Sequence, residues 1–318
     1  ICPTAESLEA VTSECSGGVD HGIGSYDESF GDIVISIVSN LGDGITYWKI
    51  TGMTGSGGMA YDVIEFNGDG TGTEVDPYEI LTCDNLQEMN SFIASDFILM
   101  DDIDCSETSG WTNDGGAGFV PIGTEDDPFT GSLANDADYT ISDLYINQDV
   151  REDFVGLFGH TFGAEISGIN LSDLHIVLED AGEVGGLVGW MENGHISDSS
   201  VQGIIGQTCE DCTNVDVGGL VGWTQGTAHI TNSTTDIAIT LLSYFDDVGG
   251  FVGYAQEETL IEDSSALADI HSGLGGGTEA GGFVGNLQGG TIDDSNSSGT
   301  IHVGYNNFTS IGGFAGEL

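Results

Sequence analysis

Basic residues are almost absent from this chain. Lys49 and Arg151 stand against 53 aspartates and glutamates, for a formal charge of −51. A surface of that sign has nothing with which to neutralise phosphates, so nucleic acid is excluded as a partner. Anionic bilayers repel it for the same reason. No apolar run reaches the roughly 18 residues of a membrane-crossing helix, so membrane insertion is not expected. The His-Glu-x-x-His pattern of zinc peptidases is missing. No second Cys-x-x-Cys accompanies Cys209-Glu-Asp-Cys212, which leaves a zinc reading of that pair two ligands short. The strand–helix setting of a redox motif is missing there too. Ile1 stands where a methionine would begin a nascent chain, which reads as a processed, mature form.

High net charge often marks disorder. Here 39% of residues are apolar, and they recur at a fixed interval. The copies are Gly156-Leu-Phe-Gly159, Gly186-Leu-Val-Gly189, Gly219-Leu-Val-Gly222, Gly250-Phe-Val-Gly253, Gly282-Phe-Val-Gly285 and Gly313-Phe-Ala-Gly316. Their starts lie 30, 33, 31, 32 and 31 residues apart. Such a period is the mark of stacked repeats. Alignment of the copies gives three apolar columns: Ile166, Ile196, Ile230, Ile261 and Ile292; Ile205, Ile239, Ile270 and Ile301; and the residue after each first glycine. Three columns predict an all-β parallel β-helix with one coil of three short strands per repeat of about 31 residues. Right-handed coiling is the usual hand for such coils. Ser199, Ser233, Ser264 and Ser295 read as corner residues that hydrogen-bond up and down the stack.

Residues 1–66 fall outside the repeat and read as a small β-rich domain. Its strands are Asp32–Ser39, Ile45–Ile50 and Tyr61–Phe66, with a turn at Gly42-Asp-Gly44. A glycine-rich hinge is expected at 67–76. A lead-in follows over 77–155, with a helix over Asn85–Ile93 capped by Asp84 and with Gln87 at the reciprocal position. That helix would cover the first rung. The six repeats occupy 156–318.

In order along the lead-in come Pro77-Tyr-Glu-Ile80, Leu86-Gln87, Asp101-Asp-Ile-Asp104, Pro121-Ile-Gly123, Phe129-Thr-Gly-Ser-Leu133 and Tyr139-Thr-Ile-Ser-Asp-Leu144, ahead of Gly156-Leu-Phe-Gly159. From Pro77 to Leu318 the chain resembles the GLUG-repeat family of large bacterial and archaeal surface proteins, adhesins and immunoglobulin-A protease passenger regions. The resemblance implies a parallel β-helix and extracellular display. It implies no catalytic site.

The acidity has two readings: adaptation to a medium rich in salt or divalent cations, or carboxylates that bind Ca²⁺. Calcium candidates are Asp198, Asp263 and Asp294, which with Asn232 form a column next to the serines. Asp69 is another, in an EF-hand-like start that lacks its closing glutamate because Tyr78 stands there. Trp190, Trp223 and Tyr254 follow the tetrapeptide in successive copies. They form a ladder that either stacks across strands or meets a sugar face. Six cysteines allow the local pairs Cys2–Cys15, Cys83–Cys105 and Cys209–Cys212, and an oxidising compartment suits them. Sequons at Asn170, Asn232, Asn296 and Asn307 fit the same location. Paired acids are everywhere, so none stands out as a glycosidase dyad. His175, His195, His229, His271 and His302 are scattered near strand ends. β-Helices that cleave acidic polysaccharides need cations near the substrate carboxylates, and Lys49 and Arg151 are too few and lie on no common recurring face.

The chain therefore reads as a non-catalytic extracellular structural or adhesive protein. It requires no cofactor, with Ca²⁺ as the candidate ion, and its expected partners are its own copies, other surface proteins or glycans. The sixth copy stops at Gly316-Glu-Leu318 without a cap. Stacking of subunits head to tail into a filament, or membership in a longer array, would satisfy that open end, with Ile33–Val38 as a covering strand. The alternative is a carbohydrate-binding or carbohydrate-cleaving β-helix.

Overall fold

The computed structural model describes residues 33–40, 46–53, 66–113, 116–148, 154–178, 182–208, 216–242, 245–272, 277–303 and 309–318. Contacts divide the chain into two units, Ile1–Glu65 and Phe66–Leu318. In the first, Ile33–Asn40 pairs antiparallel with Thr46–Met53, with Ile37 opposite Trp48. The predicted turn at 42–44 and residues 61–65 of the third predicted strand lie outside the described residues.

The second unit is a β-solenoid of about five turns. Each coil passes through four strands, not three. The long face carries Asn170–Leu178, Ser200–Gln207, Thr234–Leu241, Ser265–Ser272 and Asn296–Val303. An edge face follows: Val184–Gly185, Val217–Gly218, Phe245–Gly249, Gly277–Gly281 and Ser310–Gly312. Next comes an aromatic face: Phe158–Phe162, Val188–Glu192, Val221–Gln225, Val252–Gln256, Val284–Gln288 and Ala315–Glu317. The short face closes the coil with Glu165–Ser167, His195–Ser197, His229–Thr231, Leu260–Glu262 and Thr291–Asp293. Neighbouring coils pair in parallel, about 4.8 Å apart. The apolar count missed the edge face because each of its strands places one aliphatic residue in the stack: Val184, Val217, Val248, Ala280 or Ile311.

The register places like on like. Ile166, Ile196, Ile230, Ile261 and Ile292 are successive partners on the short face. Ile205, Ile239, Ile270 and Ile301 do the same on the long face. Phe251, Phe283 and Phe314 stack ring on ring at 4.6 and 4.9 Å. A coil alone would leave these columns in water, and its neighbours remove them from it.

Stacking begins before the first tetrapeptide. Tyr78–Ile80, Asp96–Leu99 and Ser132–Ala134 extend the short face, with Phe97 and Leu133 in line with Ile166. Residues 139–146 alternate apolar and polar side chains, yet form two strands, Thr140–Ser142 and Tyr145–Gln148, because Asp143 between them turns left-handed at φ 58°. Residues 67–76, predicted as a hinge, form a bonded loop in which the amides of Thr71 and Thr73 both donate to the Asp76 carbonyl.

The helix is shorter than its pattern predicts. It spans Cys83–Glu88 (α1) and tightens to 3₁₀ over Met89–Ser91. Thr82 is its cap in place of Asp84: the Asn85 amide donates to the Thr82 hydroxyl at 3.2 Å. Gln87 is not a capping partner. Its side chain accepts from the Val120 amide at 2.8 Å and donates to the Val120 carbonyl at 2.9 Å, as a strand neighbour would. Leu86 and Met89 are fully buried. A disulfide joins Cys83 in α1 to Cys105. Closing its loop removes conformational freedom from the unfolded chain, so replacing both cysteines by serine should cost about 3 kcal/mol. Urea denaturation with and without reductant measures that loss, and equal stability of the two forms would refute it. Cys2, Cys15, Cys209 and Cys212 lie outside the described residues.

Candidate functional site

The glycines of the repeat exist because two strands of each coil fold back on one another. In the run Val217-Gly-Gly-Leu-Val-Gly222, a Cβ added to Gly218 would lie 1.9 Å from the Val221 carbonyl oxygen, and one on Gly222 would lie 2.6 Å from the Val184 amide nitrogen. The edge and aromatic strands thus meet backbone to backbone. This contact sets two columns side by side. Glu183, Asp216, Asp247 and Glu279 stand just before the aliphatic residue of successive edge strands. His160, Trp190, Trp223, Tyr254 and Asn286 stand just after the last glycine, in register. The result is an acid–aromatic seam along the coil stack.

In the aromatic column, His160 lies on Trp190 with centroids 4.1 Å apart and planes 4° from parallel. Trp190 lies on Trp223 at 5.0 Å and 9°, and Tyr254 continues the stack at 6.0 Å, tilted by 32°. Phe154 packs edge-on against Trp190. The faces of both tryptophan rings are therefore occupied by their neighbours. A pyranose needs a free ring face, so this geometry suits cross-strand stacking.

In the acidic column, the Asp247 amide donates to Asp216 at 3.1 Å. The Asp247 side chain hydrogen-bonds Glu279 and Asn286, and Glu279 also bonds Glu317. Burial, then the charges of Glu183 and Asp246, push the Asp216 carboxyl up to about 8. Burial and its bonded carboxylate neighbours Asp247 and Glu317 push Glu279 up to about 8. Asp247 rises to about 6, first through burial. Burial raises Glu183 and lowers His160. The described residues of this unit include no lysine or arginine to offset these charges.

The sequence reading singled out the aromatic half of this seam and missed the acidic half. The signal was available, since each acid lies three residues before the first glycine of its tetrapeptide. Among 53 acids that periodicity did not stand out.

The predicted calcium column sits elsewhere, at the corner between short and long faces. Asp198, Asn232, Asp263 and Asp294 all adopt left-handed backbone, with φ of 52°, 48°, 51° and 44°, and Gly168 fills the same corner at 70°. Asp, Asn and Gly are the residues that tolerate this region, so the turn itself accounts for the residue types. All four polar corner residues are exposed. The Asn232 amide donates to Asp198. Asp69 is exposed in the bonded loop, where its carbonyl accepts from the Glu79 amide. No group of three or more His, Cys, Asp or Glu suited to a metal occurs among the described residues.

The serine column is a continuous ladder. The amides of Ser199, Ser233 and Ser264 donate to the hydroxyls of Ser233, Ser264 and Ser295, each at 3.2 Å. Each of these serine hydroxyls donates to the carbonyl two residues back, for example Ser233 to Thr231 at 2.8 Å. Two histidine pairs also stack across coils, His195 on His229 and His271 on His302, both at 4.7 Å. Of the sequons, Asn232 and Asn296 are exposed. Asn170 is half-buried, and its side chain accepts from the Ser200 hydroxyl at 2.7 Å. Asn307 lies outside the described residues.

Residues 276–301 match the model of the GLUG motif. Halomucin of Haloquadratum walsbyi is 34% identical over 224 residues, which cover 69% of this chain and 2% of that protein. The chain thus corresponds to a small part of the curated relative it matches. Among solved structures, a protein from Bacteroides ovatus named for an immunoglobulin A1 protease covers 78% of this chain and 86% of its own, at 15% identity and TM-score 0.47. A second, named IgA1 Protease, covers 86% of this chain and 21% of its own, at 18% identity and TM-score 0.41. The described residues contain no helix long and apolar enough to cross a membrane.

Proposed function

We propose, for a chain that carries the GLUG motif, a non-catalytic role as an extracellular surface element. The coil stack itself is the working part: a spacer with an acidic exterior. One observation carries this reading. The recurring polar and aromatic columns are largely engaged in building the stack. The serines bond coil to coil, the Asp and Asn corners turn the chain, and the rings cover one another. The identity to halomucin over 69% of this chain supports a place at the cell surface.

The test is accessibility on intact source cells. Antibody to the solenoid should label them without lysis, and label that appears only after lysis would reject the proposal. End-to-end assembly is a finer part of the same reading, because the like-on-like columns that hold one coil to the next would also hold one copy to another. Sedimentation of the purified chain, with and without calcium, should then show concentration-dependent growth. A monomer in both conditions would remove the assembly part alone.

Glycan attachment should divide the sequons. In a glycosylating host, intact-mass and peptide mapping should find Asn232 and Asn296 occupied and Asn170 bare. A glycan is attached through the amide nitrogen, and at Asn170 that nitrogen is half-buried and donates to the Tyr139 carbonyl of the preceding coil at 3.4 Å.

A further inference from the structure

Counter-charge is the unmet need of the acid–aromatic seam. Asp247 and Asn286 are 6% and 7% exposed, so each is more than nine-tenths buried. Asp247 Oδ1 and Asn286 Oδ1 have no hydrogen-bond partner. An amide oxygen accepts only, and so does a carboxylate oxygen once ionised. Asp216, one coil away, bonds the Asp247 amide, and Glu279, on the next coil, bonds the Asp247 side chain. The neighbourhood is thus rich in oxygen. Burial of several carboxylates without a cation is costly, and idle buried acceptors add to the cost.

We propose that this part of the seam is a binding site for a hard, oxygen-seeking divalent cation of the Ca²⁺ class. Asp247 and Glu279 supply carboxylate oxygens from successive coils, Asn286 supplies its amide oxygen, and water completes the shell. Two carboxylates and one amide make a sparse set, consistent with no three acids being grouped for a metal among the described residues. A site of this kind belongs in the weak range of extracellular modules, with Kd of roughly 10⁻⁴ to 10⁻³ M. The site is distinct from the exposed Asp198–Asp294 corner. It also differs from a diffuse ion atmosphere, because its ligands are buried and adjoin Tyr254, the strand partner of Asn286, against whose ring Trp223 packs at 6.0 Å.

Those rings supply the readout. Tb³⁺ is a luminescent stand-in for Ca²⁺ that emits when a nearby excited indole or phenol transfers energy to it. The chelator-treated full chain, in high KCl to screen surface binding, is titrated with Tb³⁺ under aromatic excitation. Saturable emission is expected, displaced by millimolar Ca²⁺. It should fall at least tenfold in Asp247→Asn and in Asn286→Leu, and persist in Asp198→Asn. Circular dichroism reports whether each variant keeps its strands, and Asn286→Leu removes a ligand without altering charge if Asp247→Asn fails to fold. Emission that never saturates, that survives both seam variants, or that disappears equally in Asp198→Asn would overturn the site.

Discussion

Replacing Gly249 by alanine is expected to cost the solenoid roughly 4 kcal/mol or more, a loss reserved for changes that the surrounding structure cannot absorb. The added methyl would stand 1.9 Å from the Val252 carbonyl oxygen and 2.7 Å from both the Gly285 nitrogen and the Phe283 oxygen. All three are backbone atoms, so no rotamer change relieves the overlap. The edge strand would have to lift off the aromatic strand, and doing so breaks its pairing with the coils on either side, because Gly249 lies in register with Gly218 and Gly281. Gly206, on the long face, is the control. A Cβ there meets nothing within 4 Å, and alanine at that position should be neutral or should stabilise by up to about 1 kcal/mol through the unfolded chain. Urea denaturation of the two variants and the parent makes the comparison. Nearest-neighbour coupling in a repeat stack predicts a broadened or split transition for Gly249→Ala, as coils on each side unfold apart. A midpoint equal to that of the parent would refute the backbone-contact account of the motif.

That account explains what the sequence could and could not reveal. The period, the apolar columns and the serine ladder were legible because each repeats one residue type at one spacing. The edge strand was hidden because Val217 or Val248 is a single aliphatic residue between an acid and two glycines, too short to show alternation. The tetrapeptide is better described as part of a longer unit, acid-Val-Gly-Gly-Leu/Phe-Val-Gly-aromatic, as in Asp216 to Trp223. Its glycines mark the period in the sequence, yet which atoms they approach depends on a partner strand that composition does not identify. The corner acids invited a metal reading because spacing carries no backbone angle, whereas a φ near +50° supplies a simpler reason for Asp198 and Asp263. The cap of α1 was ambiguous for a local reason. Thr82 and Asp84 are both capping residues, and only the direction of the Asn85 amide distinguishes them.

Stability of the chelator-treated chain should fall as pH rises from about 4 to about 8. Asp216 ionises at 3.8 when unperturbed and near 8 in the fold; Glu279 moves from 4.5 to about 8. A carboxyl raised in the folded state holds its proton after the unfolded chain has released its own. Across that window the folded state therefore binds more protons, and linkage makes stability decline with pH. Below the unfolded value both states are protonated and the effect vanishes; above the folded value the cost is complete. Mutual repulsion across a chain of charge −51 gives a slope of the same sign, so the wild-type profile alone cannot assign the cause. Asp216→Asn separates the two, since it lowers the total charge only slightly yet replaces a carboxylate held among Glu183, Asp246, Asp247 and Glu279. The variant should gain about 2 kcal/mol at pH 8.5 and little at pH 4.5, which at roughly 2–4 °C per kcal/mol raises the melting temperature by about 6 °C. Asp236→Asn, an exposed residue of the long face, changes the formal charge equally and should leave the profile near that of the parent. Parallel profiles for all three proteins would mean that the decline belongs to the whole acidic surface and that the seam holds its carboxylates without strain.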